Sequence, residues 1–289
     1  MTLPTFFIIG AAKAGTTSLH HYLEQHPEVQ MSAVKETNFF AGPPNGIPYP
    51  VGRVDRLEDY EALFDPSWRV RGEASPSYAS APRRQGVPQR IKQLVPEGLF
   101  IYLVRDPIDR LVSQYQMLVS AGKEQRSFSE ALAQLDDADP YSFYLTCQSF
   151  YGRQLELYLQ EFSADRVLVL DQARLRGERE ETLRGVFEFL GVDPDFRSEA
   201  FSSELLKGGE RRRYPRTLQR LKPVLRGPIR LLPPRLRGRL QSSFEESFLS
   251  TVPKPEVAPA DRERLRELFA PDVARLRSLT GLRFESWSL

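Results

Sequence analysis

The sequence predicts an α/β protein built on a parallel sheet flanked by helices. Short apolar runs alternate with longer amphipathic ones through the N-terminal half, the order expected of strands joined by covering helices. The first apolar run leads into a glycine-spaced loop and then an amphipathic helix, the start of a βα unit. The chain has 289 residues, 40% of them hydrophobic and 11% aromatic, enough to bury a substantial core rather than remain disordered.

Strands are expected at Thr5 to Ile9, Trp68 to Glu73, Leu99 to Val104 and Arg166 to Leu170. Each is a short apolar run bounded by polar or turn-forming residues. Helices are expected at Thr16 to Gln25, Glu58 to Phe64, Pro88 to Leu94, Pro107 to Ser120, Phe128 to Leu135, Gln148 to Phe162 and Glu181 to Leu190. Asp106 as N-cap with Pro107 in the first turn marks one start, and Gly191 after Leu190 marks one stop. A last amphipathic helix, Ala260 to Leu279, carries Leu265, Leu268, Phe269, Val273, Leu276 and Leu279 at helical spacing and should dock on the core. Between about 201 and 250 the composition turns to Arg, Leu, Pro and Gly, which predicts an irregular excursion from a single domain spanning 1–289.

The net charge of +2 is unevenly spread, because Lys207 to Arg239 holds 12 of the 40 basic residues and one acid, Glu210. Such asymmetry points to an anionic ligand or surface. One cysteine, Cys147, cannot form an internal disulfide, so nothing demands an oxidising compartment. No stretch approaches the about 18 apolar residues of a membrane span, and no basic region precedes the first strand. These features lead to the expectation of a soluble, cytoplasmic protein.

The most informative segment is GAAKAGTTS at 10–18. Gly10 and Gly15 have the spacing of a phosphate-binding loop, whose glycines let backbone N–H groups close round an anion at a helix N-terminus. Where a nucleotide triphosphatase places its Lys after the second Gly, this chain has Thr16, and the cation is Lys13. A cradle with a displaced cation suits a nucleotide lacking a γ-phosphate.

This strand-loop-helix, together with IYLVRDPIDRLVSQY at 101–115, resembles the sulfotransferase family, in particular its heparan-sulfate-type branch and bacterial relatives. KETNFF at 35–40, GEASPSY at 72–78 and the stretch from Tyr151 to Val192 extend the similarity along nearly the whole chain. The resemblance implies a sulfotransferase-type three-layer sandwich and a donor, 3′-phosphoadenosine 5′-phosphosulfate. It places Lys13, Ala14, Gly15, Thr16, Thr17 and Ser18 at the 5′-phosphosulfate, Arg105 and Ser113 at the 3′-phosphate, and the catalytic carboxylate on Glu36. An Arg at a strand end and a Ser on the following helix can converge on a phosphate. The late basic loop of the family has no clean match, and Arg216 is the best candidate within Lys207 to Arg216. Glycosaminoglycan-modifying members tend to carry Lys where this chain has Ala74, which argues against recognition of a heparan-type polymer.

In the implied chemistry Lys13 neutralises the oxygen bridging phosphate and sulfur as that bond breaks, aided by N–H groups of residues 15–18. Glu36 takes the proton of the acceptor hydroxyl, and the scheme requires no metal. His20 and His21 are rival bases, of which at most one can face a cleft because neighbours on a helix diverge by about 100°. Tyr78 and Phe39 are candidates for the acceptor pocket. The acceptor is a hydroxyl, or an amine, on a carbohydrate, glycolipid or other small molecule. The segment 207–239 is read foremost as a cap over the donor phosphates, with peripheral contact to an anionic membrane as the alternative.

Two other functions compete. A P-loop kinase or nucleotide triphosphatase would need a Lys directly after Gly15 and a magnesium-binding Asp, whereas Asp106 serves better as a helix cap. A nucleic-acid-binding protein would use the Arg-rich stretch, yet that stretch has no reading module and few aromatics beyond Tyr214. Thermal stabilisation separates the three. Adenosine 3′,5′-bisphosphate is expected to raise the Tm, and a larger rise with ATP and magnesium, or with an oligonucleotide, would select one of the others.

Overall fold

The computed structural model describes residues 1–42, 53–135, 145–202, 211–213 and 250–289. Five parallel strands form its centre: β1 (Phe6–Gly10), β2 (Val29–Met31), β3 (Val70–Ala74), β4 (Leu99–Val104) and β5 (Val167–Asp171), in the spatial order β2-β3-β1-β4-β5. The helices are α1 (Thr16–Glu24), α2 (Leu57–Glu61), α3 (Val87–Leu94), α4 (Pro107–Ser120), α5 (Phe128–Ala133), α6 (Tyr151–Leu159), α7 (Gln172–Gly177), α8 (Arg179–Leu190) and α9 (Pro259–Thr280).

The expected α/β architecture is therefore present, with the four expected strands displaced by no more than two residues at either end. β2 escaped detection because three residues are too few to show a period. α7 was also missed, since its six residues follow β5 without a break. The Asp106 cap is realised as expected: its Oδ1 accepts the N–H groups of Ile108 at 2.9 Å and Asp109 at 3.0 Å. Gly191 closes α8 with φ 68°, the left-handed conformation that glycine adopts without penalty.

β1 is the central strand, and all five of its residues are buried. Phe7 stacks on Phe100 of β4 with centroids 5.6 Å apart. The main core spreads from this sheet to α1, α6 and α8, and a second cluster joins Leu111, Val112 and Tyr115 of α4, Phe128 and Leu132 of α5, and Leu265 and Phe269 of α9. In α9 the buried stripe is Leu265, Phe269, Val273 and Leu276, whereas Leu268 and Leu279 flank it and remain exposed. The excursion expected at 201–250 is bracketed by two short strands, β6 (Arg211–Arg213) and β7 (Ser250–Val252), paired antiparallel beside α4. Most of it, including Arg216, lies outside the described residues.

α9 is tied to α6 by a buried carboxylate. Asp272 accepts the N–H of Gly152 and that of Arg153, each at 2.8 Å, and so satisfies donors that the start of α6 leaves free. A Cβ on Gly152 would come within 2.7 Å of the Asp272 carbonyl oxygen, so the two helices meet only because that position lacks a side chain. Asp272→Ala is expected to lower unfolding free energy by about 1–3 kcal/mol. Urea denaturation checks this, and an unchanged midpoint would show that the cap contributes nothing.

Candidate active site

The strand order places a crevice at the carboxyl ends of β1 and β4. From β1 the chain passes to the β2 edge, and it later crosses to β4 on the other side, so the segments leaving β1 and β4 diverge. A cavity of about 380 Å³ lies there. After β1 it is lined by Lys13, Gly15, Thr16, Thr17 and Ser18; after β4 by Arg105, Asp109, Ser113 and Gln116; after β5 by Gln172, Arg176 and Arg179; and Lys254 reaches it from beyond β7.

The loop after β1 is shaped for an anion. Gly15 sits at the N-cap of α1 with φ 100°, and no side chain caps the helix, which leaves the first-turn N–H groups directed at the cavity. Neighbouring elements hold the loop: Ala11 N–H donates to the Leu103 carbonyl at 2.6 Å and Ala12 N–H to Gln148 Oε1 at 3.2 Å. Arg105 Nη1 donates to the Lys13 carbonyl at 3.3 Å, so the cation after β4 also fixes the loop after β1. Among the expected loop residues Ala14 alone does not line the cavity; it is fully buried beneath it.

Asp109 stands in the first turn of α4. Its carboxylate lies 3.6 Å from Arg105 Nη2 and 3.3 Å from Lys254 Nζ, drawing together two cations 149 residues apart in sequence. The turn between β4 and α4 is braced from the C-terminal side, where Ser288 N–H donates to Asp106 Oδ2 at 2.6 Å. Ser286 Oγ similarly approaches Asp171 Oδ2 at 3.4 Å, at the end of β5.

Glu36 lies outside the cavity lining. It lies in the loop after β2, two strands from β1 in the sheet order, and its half-exposed side chain pairs with Lys35 Nζ at 3.0 Å. Its N–H donates to the carbonyl of Ala74, also at 3.0 Å. His20 and His21 do not line the cavity either. His20 is buried on α1, where desolvation holds its imidazole below the usual pKa, and His21 lies 3.9 Å from Glu24. Tyr78 and Phe39 turn inward: the Tyr78 hydroxyl accepts the Phe40 N–H at 3.1 Å, and Phe39 stacks on Tyr60 at 4.2 Å.

Arg176, Arg179 and Lys254 were not singled out from the sequence. The two arginines follow a strand, as Arg105 does, so the rule that ligands gather beyond the carboxyl ends of parallel strands would have found them. Lys254 carries no such signal. It lines the cavity from beyond β7, while Arg216, the late cation expected from the sequence, lies outside the described residues.

A switch-point cavity, an uncapped helix start and converging cations together suit a phosphorylated ligand. The sequence pattern of the sulfotransferase family matches residues 54–196. The crystal structure of a sulfotransferase from Alicyclobacillus acidocaldarius superposes along the whole of both chains with 28% identity and a TM-score of 0.73. Carbohydrate sulfotransferase 15 of Mus musculus is 27% identical over 79% of this chain and 51% of its own length. The bifunctional heparan sulfate N-deacetylase/N-sulfotransferase 4 of the same species is 29% identical over 71% of this chain and 24% of its own. The chain thus spans about half, or a quarter, of these relatives.

The expected cytoplasmic location is corrected by the relatives. One of them, 32% identical over 44% of this chain and 26% of its own length, is the membrane-associated sulfotransferase kil1 of Dictyostelium discoideum. A lone cysteine and the absence, among the described residues, of a helix long and apolar enough to cross a membrane do not fix a compartment.

Arg105 lines the cavity and also braces the loop after β1. Arg105→Ala is expected to weaken adenosine 3′,5′-bisphosphate binding by about 2 kcal/mol, with little effect on an analogue lacking the 3′-phosphate. Calorimetry showing equal affinity for the bisphosphate in both proteins would remove Arg105 from the site.

Proposed function

We propose that this chain transfers the sulfuryl group of 3′-phosphoadenosine 5′-phosphosulfate to a hydroxyl, or an amine, of a carbohydrate-class acceptor. The observation that carries the reading is the convergence of Lys13, the uncapped start of α1, Arg105 and Ser113 on one switch-point cavity. Among the described residues five cations line that cavity against one acid, Asp109, a balance suited to a ligand bearing phosphates at two positions. The names of the relatives support the carbohydrate class, and Ala74 in place of a Lys argues against a heparan-type polymer.

In this reading the N–H groups of residues 15–18 and Lys13 hold the 5′-phosphosulfate, while Arg105, Ser113 and Lys254 hold the 3′-phosphate. The acceptor oxygen or nitrogen attacks sulfur in line, the bond from sulfur to the bridging oxygen breaks, and adenosine 3′,5′-bisphosphate leaves. Lys13 stabilises the charge growing on that oxygen, and Glu36 takes the acceptor proton. Ala14 contributes backbone beneath the loop. Residues 1–289 act as one sulfotransferase domain, a reading supported by the alignment of the bacterial structure along the whole chain. The segment 207–239, expected from the sequence to cap the donor, lies outside the described residues apart from β6.

One set of assays tests the scheme. Lys13→Ala is expected to lower turnover roughly 10²-fold with a smaller change in product-nucleotide affinity. Glu36→Gln is expected to lower turnover by roughly 10² to 10⁴ while donor binding stays intact. Normal turnover in Glu36→Gln, with a collapse in His20→Ala or His21→Ala, would move the base to a histidine.

A further inference from the structure

The loop that carries Glu36 is held in an unusual conformation. Glu36 and Asn38 have φ of 63° and 52°, the left-handed region that non-glycine residues seldom occupy. Several contacts pinning this loop come from the segment 73–78, and on the other side Val54 N–H donates to the Thr37 carbonyl at 3.0 Å. Asn38 N–H and Ser75 Oγ meet at 3.1 Å, and the Ser77 hydroxyl donates to Asn38 Oδ1. Asn38 Nδ2 in turn donates to the Glu36 carbonyl at 2.6 Å. At the centre the Thr37 hydroxyl donates to the carboxyl of Glu73, and Thr37 Oγ1 accepts the Phe39 N–H at 3.4 Å.

Glu73 is fully buried and does not line the cavity. Its carboxyl faces the hydroxyls of Thr37, Ser75, Tyr60 and Tyr78, and burial pushes its pKa above the ordinary carboxylate range. A carboxyl so enclosed is costly to bury, and its hydrogen bond to Thr37 is the direct tie from the sheet to the residue after Glu36. We propose that Glu73 is a positioning residue: through Thr37 it fixes the backbone that aims Glu36, and it touches neither donor nor acceptor. This rests on the reading of Glu36 as the base.

The test compares kcat, the KM values and adenosine 3′,5′-bisphosphate affinity in Thr37→Val, Glu73→Gln and Glu36→Gln, with Thr37→Val also built on Glu36→Gln. Thr37→Val keeps shape and loses only the hydroxyl, and near-UV circular dichroism establishes that it is folded. It is expected to lower kcat about tenfold or more, the scale of a slightly misplaced catalytic group, with bisphosphate affinity within about twofold of wild type. Glu73→Gln, which retains an acceptor for Thr37, is expected to keep kcat within about threefold. On the Glu36→Gln background Thr37→Val should cost nothing further, because its effect passes through Glu36. A folded Thr37→Val with normal kcat beside a crippled Glu36→Gln overturns this inference alone. An equal further loss on the Glu36→Gln background also overturns it, since the hydroxyl would then act elsewhere. Normal turnover in Glu36→Gln removes the base reading and this inference together.

Discussion

The rest of the structure depends on the burial of β1 between β3 and β4. Phe6 pairs with Gly72 on one side and Leu99 on the other, and Ile8 with Ala74 and Ile101. With Phe6 to Ile9 fully enclosed, a slip of one residue would turn every side chain to the opposite face. The end of the strand is fixed as firmly: a Cβ on Gly10 would lie 3.0 Å from both Ala79 and the Tyr102 ring. The loop of residues 11–15 therefore leaves the sheet at one place and in one direction. Its first N–H, that of Ala11, bonds to Leu103 of the neighbouring strand. The position of the anion cradle relative to Arg105 is thus a consequence of strand pairing rather than of the loop alone.

Gathering cations round that cradle has an electrostatic cost that the fold meets in part through Asp109. This single carboxylate holds Arg105 and Lys254 in the same cavity as Lys13 and the arginines after β5. It offsets some of the repulsion while leaving a net positive cavity, so a dianionic phosphate remains attractive to it. Because Lys254 follows β7, the same pairing joins the end of the Arg-rich excursion to the helix that bears Ser113.

The base side of the proposed chemistry is organised differently. The donor cradle relies on backbone N–H groups and cations, whereas the Glu36 loop relies on buried hydroxyls and the carboxyl of Glu73. Gln148 joins the two halves, since its Oε1 accepts from Ala12 in the cradle and its Nε2 donates to the Pro76 carbonyl at 3.3 Å. Strict geometry is demanded of both halves, because in-line transfer needs the nucleophile and the leaving group on opposite sides of sulfur.

By itself the sequence determined the sheet class, most helices, the phosphate loop and the residues that follow β4, because these depend on local periodicity, glycine spacing and capping that a short window displays. The start of α4 at Asp106 and Pro107 is legible for that reason. Only the tertiary structure decided which distant residues share the cavity and which candidates turn away from it. Lys254 enters through a chain crossing that carries no local pattern, and Arg176 and Arg179 through the place of β5 in the sheet, while Tyr78 and Phe39 turn inward because packing, not composition, sets the direction of an aromatic ring. The three-residue β2 is similarly silent in sequence, since its stability comes from pairing with β3 and not from any period of its own.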